Sequence, residues 1–268
     1  MPTVGTICER LREFAPVNLA ESWDNTGLLV GRLGVEVRRV MTCLTLTEAV
    51  AREAVELGVQ LLVTHHPLFF RPVRGITEAT AEGRAVLLLV EHGVAVYSPH
   101  TSFDSALEGI NQGLAESLGL TEIVPLRPAA GDLRVGGGRL GVMVGGVGRS
   151  EFLARVAAVT GAGWLEYSAA GPETIHRVGI GCGAGGEFLG DALRAGCDTF
   201  ITGESRFHGI LEAESAGMNL VLAGHYASER PAVELLAERI SGWFGGLACV
   251  ASAAERNPLC LWSRDVRG

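Results

Sequence analysis

Apolar positions along the chain switch repeatedly between a helical and an extended period. Val4, Ile7, Cys8, Leu11 and Phe14 share one helical face, with Thr3 placed to cap the helix and Pro16 to end it. Arg39 to Leu46 reads as a strand, Thr47 as the cap of a helix from Glu48 to Leu57, and Val59 to Thr64 as a short strand. A helix from Glu78 to His92, a strand from Val94 to Tyr97 and a helix from Ser105 to Leu118 follow. The same order returns later, with strands at Arg177 to Gly181, Thr199 to Thr202 and Leu220 to Ala223. The intervening helices are Phe188 to Ala195, Ser205 to Ala216 and Ala227 to Ser241. Short apolar strands separated by amphipathic helices predict an α/β protein whose sheets are largely buried.

The recurrence is an internal repeat. Leu57-Gly58 through Thr64-His65-His66 aligns without gaps on Ala195-Gly196 through Thr202-Gly203-Glu204. Gly93-Val94 through His100 to Asp104 aligns, with one slip in the strand, on Gly217-Met218 through His225 to Glu229. A longer loop around Pro67 to Ile76 separates the two blocks in the first half. Duplication predicts two similar three-layer α/β lobes facing one another about a pseudo-twofold axis. Residues 1–125 read as the first lobe, with 243–268 packing on it, and 126–242 as the second. The second includes a short inserted β-α-β segment, 126–174, opening with the loop-like Pro128-Ala-Ala-Gly-Asp132. That segment holds a strand near Arg139 to Val144, a helix from Ser150 to Thr160 and a strand near Trp164 to Tyr167.

Each repeat unit places the pattern His-x-x-x-acid just after a strand: His100 to Asp104, and His225 to Glu229. On the first turn of a helix, side chains at this spacing point the same way and can grip one cation. His65 and His66 close the strand that ends at Thr64, at the carboxyl end where α/β sheets gather ligands. Each residue also has a plainer reading. Asp104 can cap the following helix, Glu229 can be a first-turn acid favoured by the helix dipole, and the adjacent histidines can be one buried and one solvated ring. Their convergence within a duplicated pattern favours a metal site. His208 is expected either to face the same cleft as an acid/base or a support for a ligand, or to be a helix-surface histidine, with Glu204 a further candidate carboxylate. His92 and His176 receive no role.

Composition narrows the picture. With 268 residues, 47% of them hydrophobic, the chain can bury a substantial core. No apolar run reaches membrane-spanning length, and Met1-Pro2-Thr3-Val4 does not lead from basic residues into an apolar stretch, so a cytoplasmic protein is expected. Six cysteines without a Cys-x-x-Cys pair predict reduced, mostly buried thiols. A net charge of −8 with no basic run argues against a general nucleic-acid surface. Gly145-Gly-Val-Gly-Arg-Ser150 is not a phosphate loop, because Met143 stands where the first glycine belongs and Arg149 where lysine does; a turn capped by Ser150 is expected instead. Gly181-Cys-Gly-Ala-Gly-Gly186 is explained equally well by a phosphate-binding turn or by close approach of backbone to the neighbouring lobe.

Several motifs, in order, resemble the Nif-three-like family, whose members are known as GTP cyclohydrolase I type 2 homologues. They are Leu19-Ala-Glu-Ser-Trp-Asp-Asn-Thr-Gly-Leu28, Thr64-His-His-Pro-Leu-Phe69, His100-x-x-x-Asp104, Thr202-Gly-Glu-x-x-x-His208 and Gly224-His-Tyr-Ala-Ser-Glu229. The resemblance implies two divalent metal ions between the lobes and a ring-shaped homohexamer. Carried over by motif, His65, His66, Asp104, His225 and Glu229 are the ligands, with Glu229 bridging the metals. His100 is placed either to join them or to support them. Thr-Ser-Phe before Asp104 departs from the family's more usual Thr-Asn-Leu, but the acid is kept. Within Trp23-Asp24-Asn25-Thr26-Gly27 the acid and amide suit an Asx-type turn, while Trp23 either packs over the lobe junction or lines the metal cleft.

Imidazole and carboxylate ligands without thiolate suit zinc, iron, manganese or nickel. The chemistry such a pair supplies is hydrolytic. For a cyclohydrolase it is opening of a purine's imidazole ring with release of formate, His208 shuttling protons and Glu229 at the reacting centre. The expected partner is a small molecule, of which a nucleotide is one form. A phosphoesterase would add phosphate-gripping arginines, for which Arg71, Arg74 and Arg206 are candidates; a metal-binding or interaction protein would turn over nothing.

Overall fold

A computed structural model describes residues 1–262 of the chain. The first helix, α1 (Val4–Phe14), starts where the Thr3 hydroxyl accepts the Thr6 N–H, and buries Val4, Ile7, Cys8 and Leu11. Then come β1 (Gly27–Val30), β2 (Arg39–Cys43), α2 (Glu48–Glu56, capped by Thr47), β3 (Leu61–Thr64), α3 (Ala81–Glu91) and β4 (Ala95–Ser98). Two short helices follow, α4 (His100–Ser105) and α5 (Ile110–Ser117), and then β5 (Thr121–Val124). The middle of the chain forms β6 (Arg127–Ala129), β7 (Asp132–Gly137), β8 (Arg139–Gly148), α6 (Arg149–Thr160) and β9 (Glu166–Ala169). The remainder is β10 (Thr174–Gly181), α7 (Leu189–Arg194), β11 (Thr199–Thr202), α8 (Phe207–Ser215), β12 (Asn219–Leu222), α9 (His225–Trp243) and β13 (Ala248–Ala251).

These make a mixed α/β fold with two main sheets. The first has the order β1-β4-β3-β2-β13, and the second β5-β8-β10-β11-β12-β9. Each holds three successive parallel strands, β2-β3-β4 and β10-β11-β12, and each lays an antiparallel strand beside the last of them. A hydrogen-bond detail repeats as well. The Thr64 hydroxyl donates to the Leu44 and His66 carbonyls, and the Thr202 hydroxyl to those of Gly183 and Glu204.

Side chains alternate across the strands, so each sheet is covered on both faces. Val40, Leu61, Val63, Ala95 and Tyr97 pack with α1, α4 and α9, while Met41, Leu62 and Val96 pack with α2 and α3. In the second sheet Val178, Ile180, Ile201 and Val221 meet α5 and α6, and Phe200 and Leu220 meet α7 and α8. Helices from both halves therefore form one layer between the sheets.

That layer runs across the expected lobe boundaries. Although α9 follows the second sheet's last parallel strand, its Ala232, Leu236 and Ile240 enter the first sheet's core; α5 sends Leu114 and Ala115 the other way, as does Leu118 just past its end. β5, read as part of the first lobe, pairs with β8 in the second sheet. β8 and β9 from the middle segment are hydrogen-bonded into that sheet, and β13 pairs with β2 in the first. Of the loop-like residues 128–132, Pro128 and Ala129 lie in β6, Asp132 opens β7, and only residues 130–131 form the hairpin turn.

Two local expectations also change. The helix expected over Ser105 to Leu118 is broken between Ser105 and Ile110, where Gly109 lets the chain pass so close that a Cβ there would lie 1.9 Å from the Phe103 carbonyl oxygen. Ser150 does not cap α6; β8 runs on to Gly148, which takes the cap position. Gly145 and Gly146 adopt positive φ (77° and 72°), and a side chain at Gly146 would collide with His176. The glycines thus serve strand irregularity and close packing. Among the described residues, no helix is long and apolar enough to cross a membrane.

Candidate metal centre

Strand pairing outlasts β3 by two residues. The N–H groups of His65 and His66 donate to the carbonyls of Cys43 and Leu44 at 2.9 and 2.8 Å, so alternation buries the His65 ring and turns His66 into a cleft. From the opposite side α9 begins directly after β12, Gly224 turning the chain at φ 87° and Glu229 following His225 by about one helical turn. α4 brings His100 and Asp104, with His100 in the left-handed backbone region at φ 32°.

Glu229 is the centre of the cluster. Its Oε2 lies 3.1 Å from both His66 Nε2 and His225 Nε2, which are themselves 3.3 Å apart. His65 Nε2 stands between carboxylates, 3.8 Å from Glu229 Oε1 and 3.7 Å from Asp104 Oδ1. Two overlapping groups emerge whose ligand atoms lie within 4.8 Å of one another: His65, His66 and His100; and His66, His225 and Glu229.

Three histidines are held from behind. His66 Nδ1 meets the Thr45 hydroxyl at 2.7 Å, His100 Nδ1 meets Asp24 Oδ1 at 2.7 Å, and His225 Nδ1 meets Glu204 Oε1 at 3.3 Å. Each contact uses one ring nitrogen and leaves Nε2 as the inward atom, which is the arrangement a ligating imidazole needs. Asp24 also accepts from the Thr101 N–H at 3.1 Å and from its hydroxyl, tying the loop before β1 to α4.

The electrostatics are strained without a cation. Burial pushes the His65 imidazolium well below its usual range, although the Glu229 charge opposes this. Asp104 is pushed well above the carboxylate range by burial and by the charges of Glu229 and Asp24; its side chain is 27% exposed, and solvent moderates that effect. Burial would raise the Glu229 carboxyl too, but hydrogen bonds from His225 and His66 and the nearby His65 bring it far below the usual range. Hydrogen bonding to Glu229 lifts His225 to about 9 against the opposing effect of burial.

The donor set fits a divalent cation. Both ring nitrogens of His65 and Oδ1 of Asp104 are shielded from solvent yet have no hydrogen-bond partner, an arrangement that is costly unless something binds there. Space is kept for it by Gly183, at φ 60°, where a Cβ would sit 1.9 Å from Glu229 Oε1 and 3.2 Å from His225 Nε2. The glycine-rich turn after β10 is therefore explained by close approach to this carboxylate. Beside the cluster lies a cavity of about 1010 Å³, reached by His66, Glu204 and His225 and walled by Trp164, Glu166 and Arg230.

Of the six residues expected as ligands, His65, His66, His100, His225 and Glu229 fall into the two overlapping groups, and Asp104 lies beside them, its Oδ1 3.7 Å from His65 Nε2. His208 does not join them. It is exposed on α8, outside the cavity lining, because the turn before α8 brings Glu204 rather than His208 to His225. Arg71, Arg74 and Arg206 are exposed and also absent from the cavity wall. Trp23 packs its ring 6.0 Å from His100 and 5.6 Å from Phe70, at the rim of the cluster. Sequence reasoning missed Thr45 and Gly183 as parts of the site, and gave Asp24 no role beyond an Asx-type turn in a motif that could line the cleft; the glycine-rich run after β10 and the conspicuous Trp-Asp-Asn motif were the available signals.

The architecture recurs in known proteins. The chain is 34% identical over 230 residues to a protein named GTP cyclohydrolase 1 type 2 homolog from Clostridium perfringens, covering 86% of this chain and 88% of that one. The crystal structure of the Staphylococcus aureus hypothetical protein SA1388 superimposes with a TM-score of 0.89 at 26% identity, covering 98% of this chain and all (100%) of that one. The protein ybgI, described as of unknown function, matches with a TM-score of 0.82 at 25% identity, covering 93% and 97% of the two chains. A family model spans residues 2–258, nearly the whole chain including every residue of the cluster, and the chain belongs to the Duf34/NIF3 (NGG1p interacting factor 3) family.

Proposed function

We propose that the chain is a divalent-metal-dependent hydrolase of the GTP cyclohydrolase 1 type 2 homolog kind, acting on a nucleotide or a related small molecule. His65, His66, Asp104, His225 and Glu229 would hold two cations, with His100 joining them or supporting them. The observation that carries the reading is the shielded, unpartnered set of both His65 ring nitrogens and Asp104 Oδ1 beside Glu229. A cation pair, when bound, supplies positive charge that acidifies water and polarises an electrophile.

The chain's own residues do the rest. Thr45, Asp24 and Glu204 fix ring orientation by occupying Nδ1, and Gly183 leaves the Glu229 carboxylate open on one side. Asp24 accepts the Nδ1 proton of His100 and keeps its Nε2 available toward the reacting centre. The open cavity beside His66 and His225 favours an enzyme over a closed, purely structural metal site. It also speaks against an arginine-gripped phosphoester. Among the described lining residues the one arginine is Arg230, whose guanidinium is engaged with Glu234, Glu255 and the Ser252 carbonyl.

The test is GTP turnover by protein loaded separately with zinc, manganese or iron, following formate and the ring-opened product. The expected result is product that disappears in the Asp104→Ala, Glu229→Ala double variant. No product with any metal, despite metal uptake, would remove the cyclohydrolase reading and turn the search to other hydrolysable small molecules.

A further inference from the structure

The residues after β13 carry contacts that the proposed hydrolase chemistry does not use. Ser252, Ala253 and Ala254 are anchored by the Glu53 carboxylate, which accepts the N–H of Ala253 at 2.8 Å and of Ala254 at 3.1 Å, and the Ser252 hydroxyl. Next in the chain, Glu255 turns inward; its side chain is only 4% exposed. Its two oxygens accept the N–H groups of Leu44 at 2.8 Å and Thr45 at 2.7 Å. Thr45 is the residue whose hydroxyl meets His66 Nδ1.

The same carboxylate reaches the other half of the cluster. Arg230, adjacent to Glu229, brings its Nε to 3.3 Å from Glu255 Oε2, an ion-pair contact rather than an aligned hydrogen bond, and donates from Nη2 to the Ser252 carbonyl at 2.9 Å. Tyr226, adjacent to His225, donates its hydroxyl to the Glu255 carbonyl at 3.4 Å. One buried acid thus touches the immediate neighbours of Glu229 and His225 in α9, and the backbone that orients His66 from the first sheet.

We propose that Glu255 is a positioning residue, and that the strap 252–255 sets the geometry of the metal centre from outside it, through Thr45 on one side and Arg230 on the other. The inference rests on the metal-site reading above. Outer groups that orient ligating histidines contribute roughly 10–100-fold to metal affinity. Glu255 does this at one remove, by fixing the backbone on which Thr45 is mounted. A carboxylate accepting two N–H groups and facing a guanidinium has no substitute in an amide, which would turn a donor toward a donor.

The experiment is zinc binding by the full chain, measured by competition against a chromophoric chelator, with thermal melting of each metal-free variant alongside. Wild type, Thr45→Val, Thr45→Ser, Glu255→Gln and the Thr45→Val, Glu255→Gln double variant are compared. The expected result is about tenfold weaker zinc binding in Thr45→Val and in Glu255→Gln. Thr45→Ser should retain wild-type affinity, and the double variant should bind no more weakly than Glu255→Gln, because both act on His66 through one path. Should Glu255→Gln fail to fold, Glu53→Gln, which releases the strap's other anchor, takes its place with the same expectation. Wild-type affinity in Glu255→Gln or Glu53→Gln, beside a weakened Thr45→Val, would overturn the role of the strap while leaving the metal site standing. A wild-type chain that takes up no zinc, manganese or iron would overturn the site itself, and this proposal with it.

Discussion

Gly183 and Glu229 approach so closely that the glycine has no room for a side chain: a Cβ built there falls 1.9 Å from Glu229 Oε1. Gly183→Ala would push the carboxylate out of its place beside His66 and His225, and would hold alanine at φ 60°. The expected outcome is at least about tenfold weaker metal binding, together with a stability loss of about 1–2 kcal/mol from the left-handed backbone. Calorimetric metal titration and a denaturant melt of the metal-free protein measure the two effects separately. An alanine variant with unchanged metal affinity would show that Glu229 does not need this space.

Proton release should accompany metal binding. His225, raised to about 9, is charged near pH 7, so a cation must displace a proton from it, and the upward shift of Asp104, caused by burial and the nearby carboxylates, acts in the same direction. Affinity should therefore rise with pH across neutrality. Calorimetry in two buffers of different ionisation enthalpy should detect net proton release; binding with no release would contradict the assignment of these two residues.

Stability of the metal-free chain should carry the same signatures. Asp104, with a raised folded pKa, contributes stability below its ordinary range of about 3.9 that is lost as pH rises through the folded value. His65, depressed by burial, contributes stability above about 6.5 that is lost as pH falls. At neutral pH Asp104→Asn should accordingly melt no lower than wild type without metal, yet lose the stabilisation that zinc gives wild type. A variant that melts lower without metal and is still stabilised by zinc would place the ligand elsewhere.

Asp24 predicts a different phenotype. Asp24→Asn cannot accept the Nδ1 proton of His100 and the Thr101 N–H and hydroxyl with full carboxylate strength. A 10–100-fold loss of turnover is expected, with a change in the His100 tautomer visible in nitrogen NMR shifts. Unchanged His100 shifts would show that Asp24 serves only the loop.

The legible part of this protein was what repeats or alternates. β3, β4, β11 and β12 stood out as apolar runs, and the paired His-x-x-x-acid units after two of them located most of the cluster. β1, β5 and β13 did not, because as edge strands they owe their form to partners elsewhere in the chain. Glu255 was invisible for the same reason. Its partners Leu44 and Thr45 lie 211 and 210 residues away, and no local pattern marks a carboxylate that caps a distant strand end. His208 misled because its helix was expected to begin at Ser205, directly after Glu204, whereas α8 starts at Phe207 and leaves His208 exposed.

Arg139 offers a test of the junction beneath the site. Fully buried, it donates to the carbonyls of Ala106, Gly136 and Gly138 and to Gln112 Oε1, and burial lowers its pKa to about 10. Arg139→Lys cannot span these acceptors, and a loss on the order of 3 kcal/mol is expected. A chemical denaturation midpoint close to that of wild type would show that water replaces the missing donors.

The helical layer shared by the two sheets has a dynamic consequence. α9 carries His225 and Glu229 at its start and roots itself in the first sheet's core through Ala232, Leu236 and Ile240. A hinge that parted the sheets would have to pull those side chains out of apolar packing, which is far costlier than moving a loop. A solute reaching the centre would accordingly enter by the mouth of the cavity while the two halves of the molecule stay closed on each other.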